Sequence, residues 1–162
     1  MTNILIPTDF TPAGFQMTAQ AIERFKGRKL NIMLFHAFEM PDAFDLLDRN
    51  RPKPYHNLLT ETFRQSCRQI KEQYPKEVHK IAFNCMEGNS ASMFRNFVEA
   101  HEIDCIVCPG SYRFVPANKK SVDPLPLFRK SGVRMVSDLQ PRVRTIDPGV
   151  AEMPIPALLV AN

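Results

Sequence analysis

The sequence predicts an α/β domain: a three-layer, doubly wound parallel sheet of about five strands with helices on both faces. Three observations lead there. Short, nearly continuous apolar runs alternate with longer segments of helical period. The runs are bounded by Pro, Gly, Ser, Thr and Asp, where a loop or a helix cap can begin. The order strand, helix, strand, helix, strand, helix, strand is the one that right-handed crossovers turn into a parallel sheet.

The first strand is Ile4, Leu5 and Ile6, apolar enough for a central position, and the chain leaves it through Pro7, Thr8 and Asp9. Thr11 before Pro12 marks a helix start, with Thr as N-cap and Pro in the first turn. Phe15, Ala19, Ile22 and Phe25 share one helical face, and Gly27 closes the helix. Residues 30–37 form the second strand. Residues 40–55, with Pro41, Pro52 and Pro54, read as a long excursion with a short turn at Ala43–Leu47. A second helix is expected over 58–73, with Leu59, Phe63, Cys67 and Ile70 inward. Residues 78–85 alternate in polarity, which predicts an edge strand.

Gly88, Asn89 and Ser90 supply a turn and an N-cap for a third helix that ends near His101, with Met93, Phe94, Phe97 and Val98 inward. Residues 104–108 are the fourth strand, and a loop over 109–120 follows. Pro124 and Pro126 confine a fourth helix to Leu125–Lys130. For the fifth strand, 133–137 is favoured over 155–160. The expected organisation is one domain over 1–137 and a proline-rich extension over 138–162, which adds an edge strand or reaches across a dimer.

Composition narrows the function classes. Apolar residues at 44% and charged residues at 23% are the balance of a folded domain. No apolar run approaches the ~18 residues of a membrane span, and the opening Met1-Thr2-Asn3 has no basic n-region, so the cytoplasm is the expected location. The net charge of +4 is spread along the chain without an aromatic-interleaved basic stripe, which argues against nucleic acid as the main partner. The basic stretch 49–53 reads as a solvated face, and Met17, Met33, Met40, Met86, Met93 and Met135 as packing residues.

Cys105 and Cys108 have the spacing of a redox or zinc pair. On a strand, however, they point to opposite faces and can neither share a metal nor form an unstrained disulfide. With Cys67 and Cys85 they are expected to be reduced. His56, His79 and His101 lack metal-ligand spacing, and no hydrolase, metalloprotease, Walker or Rossmann motif occurs.

Several segments carry a family resemblance over about residues 3–137. Ile4-Leu5-Ile6-Pro7-Thr8-Asp9-Phe10-Thr11 resembles the opening of universal stress proteins, and Leu34-Phe35-His36-Ala37 resembles the end of their second strand. Asp104-Cys105-Ile106-Val107-Cys108-Pro109-Gly110-Ser111 resembles their fourth strand and the start of their phosphate loop. Lys120-Ser121-Val122 resembles the end of that loop, and Phe128-Arg129-Lys130-Ser131-Gly132-Val133 the approach to their last strand. The resemblance implies a homodimer and a site for ATP or AMP, with Mg, at the strand carboxyl ends. Pro7, Thr8 and Asp9 would lie by the base or ribose, and Ala37 would offer backbone contacts to adenine. Pro109, Gly110, Ser111, Arg113, Ser121 and Val122 would line the phosphates.

The loop departs from the family pattern. In the nucleotide-binding branch it reads Gly-x2-Gly-x9-Gly-Ser/Thr, because glycines let bare backbone amides approach phosphate oxygens. Here Gly110 keeps the first place, Arg113 takes the second and Lys120 the third, Pro116 lies between, and the spacing is about three residues short. In the favoured reading the loop no longer holds phosphate, and the chain is a regulatory or interaction protein without robust catalysis, acting on a protein partner. In the second, Arg113, Lys119 and Lys120 replace backbone contacts with charge-assisted ones, giving a nucleotide sensor. In the third, a small enzyme acts on an anionic ligand at the same strand ends.

Single residues carry a plainer role too. Asp9 is as good a cap for Thr11 as a ribose contact. His36 is expected as a packed, hydrogen-bonded core histidine with no nucleophile beside it. Ser111 suits a turn and Ser121 an N-cap.

Overall fold

The computed structural model describes residues 1–139, so the alternative strand at 155–160 and nearly all of the proline-rich extension lie outside the described residues. The elements in order are β1 (Thr2–Pro7), α1 (Pro12–Arg24), β2 (Leu30–Phe38), α2 (Ala43–Leu47), α3 (Glu61–Gln73), β3 (Val78–Glu87), α4 (Ala91–Ala100), β4 (Cys105–Val107), β5 (Ser121–Val122), α5 (Leu125–Lys130) and β6 (Arg134–Val136).

The main path of the sheet runs β3-β2-β1-β4-β6, and every neighbouring pair along it is parallel. The expected doubly wound fold is present, and β3 sits at an edge as its alternation suggested. Strand polarity decides the layering. Ile4, Ile6, Ile32 and Leu34 face one core with Phe15, Ile22, Phe63 and Ile70 from α1 and α3. Leu5, Phe35, Ala37 and Ile106 face the other with Phe94, Leu127 and Phe128 from α4 and α5. Cys105 belongs to the first core and Cys108 to the second, as alternation on a strand requires, and all four cysteines are free.

Several expectations are corrected. The second long helix begins at Glu61, not at 58, because Thr60 caps it by accepting from the Phe63 amide while the Leu58 amide turns back to Tyr55. The first helix ends at Arg24, and Gly27, with φ of +90°, turns the chain two residues beyond its C-cap. β3 runs on to Glu87 in register with Phe38. Ser121 is not an N-cap: it lies in β5, an added two-residue strand antiparallel to β2, and Asp123 accepts the Leu125 amide at the start of α5. Arg51, in the stretch read as solvated, pairs with Glu87 at 3.1 Å, and Met40 is exposed, not packed.

The centre of the second core is aromatic. Phe35 contacts the rings of Phe94, Phe97 and Phe128 at centroid distances of 5.5, 5.1 and 6.1 Å. Truncating it removes a full ring from between the sheet and two helices. Phe35→Ala is therefore expected to lower the unfolding free energy by about 3–5 kcal/mol in urea denaturation, whereas a loss below about 1 kcal/mol would mean this core is not packed as described.

Candidate functional site

Chain order reverses between β1 and β4, because β2 and β3 lie to one side of β1 while β4 and β6 lie to the other. In open α/β sheets that switch point, beyond the strand carboxyl ends, is where ligands bind. Thr8 and Asp9 leave β1 there, and Pro109 and Gly110 leave β4 there. The fold thus brings the predicted residues to one end of the sheet, and their bonding decides what they can do.

Asp9 takes the capping role. Its Oδ1 accepts from the Thr11 amide at 3.0 Å and from the Thr11 hydroxyl. Thr11 is the N-cap residue of α1, yet its own side chain makes no capping bond. Between them Phe10 adopts φ of +66°, a conformation that a bulky side chain reaches only at a cost of about 1–3 kcal/mol. Its ring is held by Phe63, Phe83 and His36 at 5.2–5.4 Å.

His36 is buried, 3% exposed, and both ring nitrogens are engaged. Nδ1 lies 2.7 Å from the Thr8 carbonyl oxygen, which can only accept, so Nδ1 carries the proton. Burial holds the imidazole below its ordinary pKa of 6.5, against the upward pulls of the Thr8 bond and the Asp9 charge. The ring is therefore neutral at pH 7 and Nε2 is an acceptor. The Ser121 hydroxyl, 2.7 Å away, donates to it. The Ser121 oxygen in turn accepts from the amides of Ala117 at 2.9 Å and Asn118 at 3.2 Å. One hydroxyl proton and two lone pairs are thus all used.

A nucleophile does stand beside His36, contrary to the expectation from sequence. In this geometry it is a poor one, because no lone pair on Ser121 Oγ is left to attack an electrophile.

Four further amides of the loop, those of Gly110, Tyr112, Lys120 and Ser121, are also bonded within the chain. Gly110 N–H donates to the Ser137 carbonyl at 3.3 Å and Tyr112 N–H to the Pro109 carbonyl at 2.9 Å. Lys120 N–H donates to Asn118 Oδ1 at 2.9 Å, and Ser121 N–H to the Asn118 carbonyl at 3.1 Å. Ala37, expected to face an adenine, pairs with Val122 on the side where β1 has already ended and with Met86 on the other. At Gly110 no atom lies within 4 Å of where a Cβ would stand, so its surroundings do not demand glycine. Lys120 reaches Asp45 of α2 at 3.6 Å, while Ser111, Arg113 and Lys119 are exposed. Among the described residues no cluster of three metal-ligating side chains occurs and no helix is long and apolar enough to cross a membrane.

Phe10, Tyr112 and the pairing of His36 with Ser121 escaped the sequence reading. Tyr112 packs its ring on the second core, and burial pushes its hydroxyl pKa upward. The histidine and the serine were each noticed, but 85 residues separate them, and no local pattern joins them.

No protein-family model matches the chain, and no curated protein matches it. Solved structures do. A hypothetical protein, PH0823, aligns with TM-score 0.52 at 13% identity over 84% of this chain and 94% of that one. The hypothetical protein MJ0577, whose structure served to assign its biochemical function, aligns with TM-score 0.51 at 15% identity over the same shares. A universal stress protein solved in complex with cAMP aligns over 84% and 94% at 14% identity, with TM-score 0.45. The first two alignments, at TM-scores above 0.5, show that this chain shares its α/β fold with those structures.

Two outcomes are expected of the His36–Ser121 pair. Ser121→Ala leaves an imidazole nitrogen and two amides without a partner and should cost about 2 kcal/mol in chemical denaturation. Because the folded-state pKa of His36 lies below its unfolded value near 6.5, its stabilising contribution is present above that value and is lost as pH falls through the folded-state pKa. Thermal melts should therefore show a stability loss from pH 7 to pH 5 that is smaller in His36→Gln; an equal loss in both proteins would remove His36 as its source.

Proposed function

We propose that this chain is a universal stress protein-like regulatory or interaction protein whose strand-end loop is a fixed surface, not a nucleotide cradle. One observation carries the reading: the amides of Ala117 and Asn118, in the segment where a phosphate would need bare N–H groups, are already bonded to Ser121, and Ser121 is bonded to a neutral His36. The Val122 pairing with Ala37 supports it, since the backbone that would meet an adenine is occupied by the chain itself.

A protein partner is supported by the surface next to the loop. Phe44 is 84% exposed and Leu47 79%, with Leu46 and Met40 exposed nearby. These residues lie on α2 and its approach; the Asp42–Asp45 capping box closes the first turn of α2, and Asp45 pairs with Lys120 of the loop at 3.6 Å. Exposed apolar clusters of this kind mark interaction sites, and a second copy of the chain is the first partner to test.

The second reading is a nucleotide sensor with an atypical loop. It draws on Arg113 and Lys119, which are exposed and make no ion pair among the described residues, so charge is available for an anion.

Differential scanning fluorimetry with Mg-ATP, AMP and cAMP separates the two. The proposed function predicts no saturable shift in melting temperature up to millimolar nucleotide. A saturable shift at micromolar nucleotide that Arg113→Ala weakens would establish the sensor instead.

A further inference from the structure

The sheet edge carries a second concavity, joined to the strand-end loop where the Asn118 side chain donates to the Pro54 carbonyl at 3.0 Å. Between α3 and β3 lies a cleft of about 380 Å³, within the range of about 300–1,000 Å³ typical of small-molecule sites. It exists because β3 has no strand beyond it and α3 covers it incompletely. On α3, Phe63 and Ile70 are buried while Leu59 and Cys67 are only half-buried. On β3, Ile81, Phe83 and Cys85 are half-buried as well. Tyr55 closes one side, its ring edge-on to Phe83 at 5.4 Å.

The lining is apolar and aromatic with a positive rim. Arg64 and Arg68 border the cleft, and no Asp or Glu lines it. Arg68 is engaged by Glu61 at 2.7 Å, whereas Arg64 makes no ion pair among the described residues. We propose that this cleft binds a small organic anion with an apolar body, of the aryl or short-chain alkyl carboxylate or sulfonate class, whose ring or chain lies on Phe63 and Phe83 and whose acid group meets Arg64.

The charge pattern selects the class. A neutral apolar ligand would gain only the area term, while an inorganic anion would leave the aromatic floor wet. A guanidinium beside a low-polarity floor favours a ligand that carries both features, because the acid stays at the rim while its body is desolvated. Burial holds the Cys67 and Cys85 thiols at a pKa of about 11, so at neutral pH they are uncharged walls that do not repel an anion. They also report occupancy, since both line this cleft while Cys105 and Cys108 are buried in the two cores.

The test uses the full chain, with anilinonaphthalene sulfonate as probe and N-ethylmaleimide as thiol reagent. Saturable fluorescence is expected, together with slower alkylation of Cys67 and Cys85, located by peptide mass spectrometry, at the same probe concentrations. Arg64→Ala should weaken both readouts about tenfold, the scale of one charge-assisted bond, with Arg64→Lys restoring most of the loss. Phenylnaphthylamine, which lacks the acid, should bind the wild type no better than the sulfonate binds Arg64→Ala. Arg64 is exposed, so an unchanged melting temperature checks that the variant is folded. The proposal is overturned by fluorescence without protection of these thiols, which would place the probe elsewhere, including the α2 patch. It is equally overturned if both thiols resist alkylation without ligand even at about pH 9, where a thiol with a pKa of about 11 still ionises enough to react, which would mean that another part of the chain or a second copy fills the cleft, or if Arg64→Ala changes nothing.

Discussion

A neutral imidazole with its Nδ1 proton committed to the Thr8 carbonyl determines how the carboxyl end of this sheet is built. Once that proton is placed, Nε2 can only accept, the Ser121 hydroxyl can only donate to it, and the Ser121 oxygen can only accept from the two loop amides that reach it. Each step leaves no alternative for the next group. The consequence is that the loop amides next to Ser121 are bonded within the chain, and that a two-residue strand continues the sheet beyond the end of β1.

The same constraint bears on function. Phosphate recognition at a switch point depends on backbone N–H groups that have nothing else to bond. Here the chain supplies its own acceptors: the Ser137 carbonyl for Gly110, Pro109 for Tyr112, and Ser121 for Ala117 and Asn118. Beside the loop, Lys120 faces Asp45 of α2 at 3.6 Å.

Much of the fold was legible because it rests on periodicity. The apolar runs at Ile4, at 30–37 and at 104–108 gave the central strands, and the alternation of 78–85 gave the edge. The opposite orientation of Cys105 and Cys108 followed from strand geometry alone. Boundaries moved where a side chain competed with the backbone, as when Thr60 capped α3 later than its apolar face suggested. The candidate site was legible as a set of positions but not as a network. Asp9, Ala37, Gly110 and Ser121 could be placed at the strand ends, yet the bond from His36 to Ser121 depends on β5 pairing with β2, a long-range contact that two residues of sequence cannot announce. Phe10 in a left-handed turn was invisible for a similar reason: its strain is offset by three rings from distant parts of the chain.

Amide hydrogen exchange at Ala117 and Asn118, followed by NMR in the free protein and with Mg-ATP, tests the closed loop most directly. The account predicts protected amides in the free protein whose exchange rates do not change with nucleotide. Fast exchange in the free protein that slows only when ATP is added would show that these amides are free to meet a phosphate, and would contradict it.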